Sequence, residues 1–405
     1  MKKRILSILL AVTMISGLLI GCGSNSGTTD ATTETAEEAT TEEATTEEAT
    51  TEETITEEEA TIEETTTEEA TTEESESGYE LALITDVGTI DDKSFNQGSW
   101  EGVVAYAQDN NITHKYYQPA EKSTNAYLAS IDLAVTAGAK AIVCPGFLFE
   151  ESIFEAQTKY PEVTFIILDG APHAGDYDIQ IADNTLSIFY AEEEAGYLAG
   201  YAAVVEGYTQ LGFMGGMAVP AVIRFGYGFI QGADQAAQDL GVADVNVKYT
   251  YVGNFDASPE NMTKAAAWYN EGVEVIFACG GGVGNSVMKA AETAGTKVIG
   301  VDVDQSGESE TVITSSMKNL AKSVYDALAD LYAASFNGGQ SVTLDASNEG
   351  IELPMDTSRL EKFNQAQYDE LYKGLADGSV QLENDGVGES PTDVTVTAIT
   401  VEAVQ

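Results

Sequence analysis

Cysteine, histidine, tryptophan and proline are all scarce in this chain of 405 residues, which holds 3, 2, 2 and 8 of them. The two histidines, His114 and His173, lie far apart with no cysteine partners, so no metal-ligand spacing is present. There is no G-x-S-x-G turn and no set of nucleophile, histidine and acid, so the usual machinery of an enzyme is missing. Basic residues are few: 18 against 67 acidic ones, a formal net charge of −49. Such a chain has no footprint for nucleic acid. It can hold an anion only through a local Lys or Arg. After the first twenty residues no apolar run is long enough to span a bilayer.

That first run reads as an address. Lys2, Lys3 and Arg4 precede an apolar stretch over residues 5–20, which ends in Leu19-Ile20-Gly21-Cys22. A charged start, a short apolar core and a small-residue exit describe a secretory signal. The ending matches the bacterial lipobox, cleaved before a Cys that becomes lipidated. Residues 1–22 are therefore expected to be a lipoprotein signal with Cys22 as the lipidated residue; the plainer alternative is an ordinary signal with a chance Cys. Next comes EEATTEEATTEEATTEE, with 20 acidic residues and no basic one between Ser24 and Gly78. Its period of five fits neither helix nor strand. With almost nothing to bury, residues 23–78 are expected to form a disordered Glu/Thr-rich tether, roughly 40 Å in reach as a flexible coil. A glycosylated Thr-rich stalk is compatible with this.

Setting aside +3 for the signal and −20 for the repeat leaves −32 on the rest. Strand-like runs there are ELALIT (80–85), AIVCPG (141–146), VTFIIL (163–168), IQIA (179–182), QLGFMGG (210–216), VKYTYV (247–252), VEVIFAC (273–279) and KVIGVDV (297–303). Helix-like segments ending in Gly alternate with them, the pattern of parallel sheets covered on both faces. SIFYAEEEAGYLAGYAAVVEG reads as one long connecting helix. The expectation is an α/β protein of two Rossmann-like doubly wound lobes. The first is placed at 79–195 with a returning segment near 310–335, the second at 196–309 with much of 336–405. The stretch after Thr311 reads as helical and then irregular. A last helix is expected around LEKFNQAQYDELYKGLADG, and VTVTAITVEAV as a terminal strand of open assignment. Cys144 and Cys279 read as buried strand-end thiols, with a disulfide between them as the alternative.

Ligands of doubly wound sheets sit at the carboxyl ends of the strands. The strand-like runs here lead into Asp86, Asp169, Phe255, the run Gly280-Gly281-Gly282, and Asp302. Carboxylates accept hydrogen bonds, aromatic rings stack on flat ligands, and glycines admit a ligand to the backbone. The set suits a neutral, planar, hydroxyl-bearing molecule. Each residue also has a plainer role: Asp86 and Asp302 as turn or cap residues, Phe95 and Phe255 as core, Lys318 as a surface lysine. Trp100 reads as packing, and Asp91-Asp92 as helix caps or solvated acids. CGGGVGNS departs from the G-x-G-x-x-G spacing of a dinucleotide loop.

The stretch DVGTIDDKSFNQGSWEG closely resembles the signature of the basic membrane protein family, the substrate-binding lipoproteins of ABC transporters that include purine-nucleoside receptors. CPGFLFEE, GFMGGMAVPAVIRFGYGFIQGA, VIFACGGGVGN, VIGVDVDQ and TSSMKN extend the likeness over most of residues 79–370. The resemblance implies a type I periplasmic-binding-protein fold with a hinged cleft. Phe95 in DKSFN matches the ring that stacks on the base, and Asn96 a polar contact. Asp86 and Asp169 match acidic ligand contacts, Phe255 in VGNFD the second stacking ring, and Gly281 a backbone contact. Asp302 in VIGVD and Lys318 in SSMKN match groups that hold ribose hydroxyls. CGGG in place of AGG, the segment HAGDYD, the chain beyond Leu382 and the acidic tether depart from the family pattern. The implied protein is a monomeric receptor without cofactor or enzymatic activity. It is lipid-anchored at the extracytoplasmic face, binds nucleosides (purine foremost), and works with an ABC permease and ATPase. A receptor for a sugar or other small metabolite, or a sensor or surface protein uncoupled from transport, is the alternative.

Overall fold

The computed structural model describes residues 78–404; the signal, Cys22 and nearly all of the acidic repeat lie outside the described residues. Short apolar runs make the strands, because β-branched and aromatic side chains fill a sheet covered on both faces. Five of them open the first lobe: β1 (Leu81–Ile84), β2 (His114–Tyr117), β3 (Ala141–Pro145), β4 (Thr164–Leu168) and β5 (Thr185–Tyr190). The second lobe repeats the pattern with β6 (Gln210–Gly215), β7 (Val245–Tyr251), β8 (Val275–Cys279), β9 (Lys297–Asp302) and β10 (Val312–Lys318). In space the two sets run β2-β1-β3-β4-β5 and β7-β6-β8-β9-β10, the same doubly wound order, and every pairing within these sets is parallel. Three later strands complete the sheets. β11 (Gln340–Leu344) adds to β5, the short β12 (Ile351–Glu352) pairs antiparallel with β10, and β13 (Ile399–Ala403) joins the β7 edge.

Helices cover both faces. α1 (Phe95–Asn110), α2 (Thr124–Thr136) and α3 (Glu150–Lys159) belong to the first lobe. α4 (Glu192–Glu206), α5 (Pro220–Leu240), α6 (Pro259–Asn270) and α7 (Gly282–Ala294) cover the second. α8 (Leu320–Tyr332) returns to pack on α1, and α9 (Gln365–Ala376) precedes the irregular final segment. The tightest helix pair is α4 with α5. A Cβ at Gly228 of α5 would sit 1.9 Å from the Glu193 carbonyl oxygen, and one at Gly196 of α4 would sit 2.1 Å from that of Phe225. Only glycine lets the two backbones meet there. One hydrophobic cluster continues through both lobes, from Leu83 and Val143 to Phe225, Phe277 and Val324.

Several expectations change. IQIA (179–182) is not a strand; Ile179 is exposed, and the buried run TLSIFY takes the sheet position instead. SIFY therefore leaves the expected long helix, which starts at Glu192, where three glutamates favour a helix N-terminus. β10 lies where helix was expected: in VITSSMK, Thr314, Ser315 and Ser316 are buried, so small hydroxyl side chains stand in for the apolar signal. Since β10 belongs to the second sheet, only the α8 part of the expected returning segment near 310–335 returns to the first lobe, and β11 extends it. The expected boundary at 195–196 falls inside α4, and the sheet-to-helix step is at Ala191. β2, an exposed edge strand of sequence HKYY, had no apolar signature.

The α4–α5 contact gives a direct test. Gly228→Ala is expected to lower the unfolding free energy by about 2–3 kcal/mol in denaturant titration. Gly307→Ala, whose methyl would meet nothing within 4 Å, is expected to leave it unchanged.

Candidate functional site

The turn after β1 is built by carboxylates. Asp92 accepts from the backbone N–H of Ser94 (2.9 Å), Asn96 (3.0 Å) and Gln97 (3.1 Å), so it caps α1. The Asn96 amide donates to Asp86 Oδ1 at 3.0 Å and Asp92 Oδ2 at 2.9 Å, and its Oδ1 accepts from the Asp86 N–H at 3.3 Å. Asn96 thus spends its polar atoms on fixing Asp86, whose carboxyl is raised by burial. Phe95, one residue earlier, opens the helix. Gly102 clears the way for α8, since a Cβ there would lie 2.5 Å from the Ala321 carbonyl oxygen. Trp100 packs on His114 and Tyr116, with centroids 5.5 and 5.7 Å away, and takes no part in the cavity.

In the second lobe Gly216 and the run Gly280-Gly281-Gly282 together seat Phe255. A Cβ at Gly216 would lie 2.3 Å from the Phe255 ring, so the ring rests directly on backbone. Gly281 has φ +52, and the Gly282 N–H donates to the Phe255 carbonyl at 3.0 Å.

Lys318 ends β10 and is 3% exposed. Its ammonium pairs with Asp169 Oδ2, lies 2.9 Å from Glu192 Oε1 and 4.0 Å from Asp302 Oδ1, and sits 4.8 Å from the Phe95 ring centroid. Glu192 is fully buried and accepts from Arg224 Nε at 2.6 Å. Asp302 accepts from Ser94 Oγ at 2.5 Å, a bond between the lobes. Asp169 and Asp302 end equivalent strands, β4 and β9, and both have left-handed backbones, φ +55 and +67. Aspartate is among the residues that adopt this backbone most readily, and both carboxylates line the cavity. Burial pushes Asp169 up to about 7, opposed by Lys318 and reinforced by Glu192. Burial would lower Lys318, but Asp169, Glu192 and Asp302 more than offset it and hold the ammonium charged. Asp169 Oδ1 has no hydrogen-bond partner among the described residues.

All eight residues singled out from the sequence, Asp86, Phe95, Asn96, Asp169, Phe255, Gly281, Asp302 and Lys318, line one cavity between the lobes. The empty space in it is about 750 Å³, part of it open to solvent. It lies where each sheet's strand order reverses, between β1 and β3 and between β6 and β8, the position at which such sheets hold ligands. Sequence reasoning missed Phe225, which lines the wall, and Glu192 and Arg224, which stand behind Lys318. The only signal was a glutamate triplet at a helix start. Asn96, expected as a ligand contact, is committed to Asp86 and Asp92. Cys144 and Cys279 are free and buried, so the alternative of a disulfide is not realised.

A family profile described as "ABC transporter substrate-binding protein PnrA-like" matches residues 79–381. The chain belongs to this Bmp family. It is an ABC transporter substrate-binding protein by that membership. The nucleoside-binding protein BmpA of Lactococcus lactis is 30% identical over 70% of this chain and 83% of its own. Basic membrane protein B of Borreliella burgdorferi is 28% identical over 69% and 82%. A solute-binding protein of an ABC transporter system from Aeropyrum pernix superposes with a TM-score of 0.65 at 23% identity, covering 76% of this chain and 93% of that one, which speaks to the fold. BmpA is named as a binding protein, and the fold of this chain is the type I periplasmic-binding-protein arrangement of two lobes around a cleft.

The raised Asp169 carboxyl has a measurable consequence. Between the ordinary value of 3.8 and about 7 the folded chain holds a proton that the unfolded chain has released. Its contribution to stability is full below 3.8 and is lost as pH rises through about 7. The melting temperature of the wild type minus that of Asp169→Asn is expected to fall as pH rises from about 5 to about 8. A difference that stays flat would contradict the assignment.

Proposed function

We propose that this Bmp-family protein captures nucleosides, purine nucleosides foremost, at the outer face of the cytoplasmic membrane and delivers them to an ABC permease and its ATPase. The observation that carries this is the placement of Phe95 and Phe255, from different lobes, on one cavity that also holds Asp302 and Lys318. Two rings supply apolar faces for a flat base. Asp169 Oδ1, without a protein partner among the described residues, and Asp302 supply acceptors for hydroxyl or ring N–H groups, and Lys318 a donor. The surplus of carboxylates disfavours anionic ligands such as nucleotides. The role is capture, not catalysis.

Binding acts by closure of the lobes. The two crossovers leading into α4 and α8 each turn at one residue, Ala191 (φ −86, ψ 70) and Asn319 (φ −78, ψ 58), in nearly the same conformation. Tyr190 and Lys318 immediately precede these connectors and Glu192 follows one of them. A ligand touching Lys318 is thus felt at a hinge. The mature chain acts as a monomer, held at the membrane by lipid on Cys22 and spaced from it by the acidic repeat.

Calorimetric titration of the full chain, unfolded and refolded to remove carried ligand, tests this against inosine, guanosine, adenosine, uridine, adenine and ribose. Tight nucleoside binding with weak ribose binding is expected. Phe95→Ala and Phe255→Ala are each expected to weaken nucleoside binding by roughly 10- to 100-fold. Ribose binding alone would move the cargo to sugars. Cys22→Ala is expected to shift the protein from the membrane fraction to the soluble one; retention at the membrane would remove the anchor.

A further inference from the structure

Residues 382–404 lie beyond the family match and form a strap over α5. Four residues of α5 hold it: Arg224, Tyr227, Gln231 and Asp234. Their spacing of three, four and three places them on one face of the helix. Gln231 exchanges two hydrogen bonds with the Glu383 backbone, donating to its carbonyl at 2.7 Å and accepting from its N–H at 2.8 Å. Tyr227 Oη donates to the Gly388 carbonyl at 2.9 Å. Asp234 Oδ1 accepts from the backbone N–H groups of Thr397, Ala398 and Ile399 at 2.9, 2.7 and 3.2 Å. The strap therefore enters at Gln231, runs toward the start of α5 and returns to join the second sheet as β13. At its turn Asp385 Oδ2 lies 3.4 Å from Arg224 Nη1.

That contact ends a chain of charges reaching the cavity. Arg224 Nε donates to Glu192 Oε2 at 2.6 Å, Glu192 Oε1 lies 2.9 Å from Lys318 Nζ, and Lys318 pairs with Asp169. The neighbouring residues Ala221, Val222 and Phe225 of α5 form cavity wall. We propose that Asp385 is a positioning residue for the binding site: the strap holds Arg224 and partly neutralises it, and so sets the charge balance that Glu192, Lys318 and Asp169 present to the ligand. A segment outside the common family pattern would then tune the site without touching what binds there.

The charges fix the sign of the effect. Asp169 faces Lys318 from β10, Glu192 from α4, Arg224 from α5 and Tyr190 from β5, and shares the Lys318 ammonium with Asp302. Arg224 is also faced by Glu193 of α4, whose Oε2 lies 4.0 Å from Nε and whose carboxyl is pushed up to about 7 by burial. Removing the negative charge at Asp385 leaves Arg224 less compensated, and a less compensated cation favours the ionised form of Asp169 as well as of Glu193. The Asp169 proton should then leave at lower pH.

The test compares the full wild-type chain with Asp385→Asn and Asp385→Glu. The carboxyl carbon shift of Asp169 is titrated by NMR without ligand, and inosine affinity is measured across the same pH range. The expected result is a lower Asp169 midpoint in D385N, restored in D385E, with inosine affinity changed by roughly 2- to 30-fold and its acid limb moved to lower pH. An unmoved midpoint overturns the proposal, even if affinity drops equally at every pH, because that pattern is simple loosening of α5. The affinity arm rests on the nucleoside reading; the midpoint arm does not. A wild type that ignores inosine while the midpoint shifts would sink that reading alone.

Discussion

One ammonium group, that of Lys318, joins the parts of this molecule that matter for binding. It is buried among Asp169 from the first lobe and Glu192 and Asp302 from the second. Taking a charge out of water costs several kcal/mol, and only close partners offset it. Those partners come from a strand end in each sheet and from the helix after a crossover, so the lobes and one connector must be correctly placed before the charge is satisfied. With Arg224 included, two cations face five carboxylates: Asp169, Glu192, Asp302, Glu193 and Asp385. Burial raises Asp169, Glu193 and Asp302 alike, so the excess is shared among carboxyls that respond to pH or to a hydrogen-bond donor.

The cavity is where it is because the lobes repeat one topology. Each sheet reverses its strand order next to its first strand, which opens a crevice at the carboxyl end. Facing the two crevices toward each other makes one site from two half-sites. Asp169 and Asp302 occupy equivalent strand ends with the same unusual backbone. Departures from symmetry make the ligand surface. The first lobe offers a helix-opening phenylalanine and capped carboxylates, the second a phenylalanine laid on glycine backbone.

Much of this could be read from residues alone. The strands with continuous apolar runs are legible in the sequence, and the residues at their carboxyl ends do meet in one cavity. The elements that escaped notice share a cause. β10 is buried but made of Thr and Ser as much as of apolar residues, β2 lies at an exposed edge, and TLSIFY runs straight into helix-forming glutamates. Local pattern is a poor guide wherever burial depends on a neighbour that sequence does not show. Glu192 and Arg224 escaped for the same reason. A glutamate at a helix start and an arginine in an amphipathic helix look solvated until the fold places them side by side.

The sequence by itself determined the alternation of strand and helix, and with it two doubly wound lobes and the strand-end positions of the cavity's aspartates, Phe255 and glycines. Those come from side-chain period, turn chemistry and the rule that ligands gather at strand ends. Only the tertiary structure decided which charges pair. Ion pairing depends on distances between elements far apart in the chain, such as Lys318 with Asp169 and Arg224 with Asp385. It also decided that Asn96 serves Asp86 and that the last residues strap α5. A hydrogen bond fixes direction as well as distance, and neither exists before the backbone is in place.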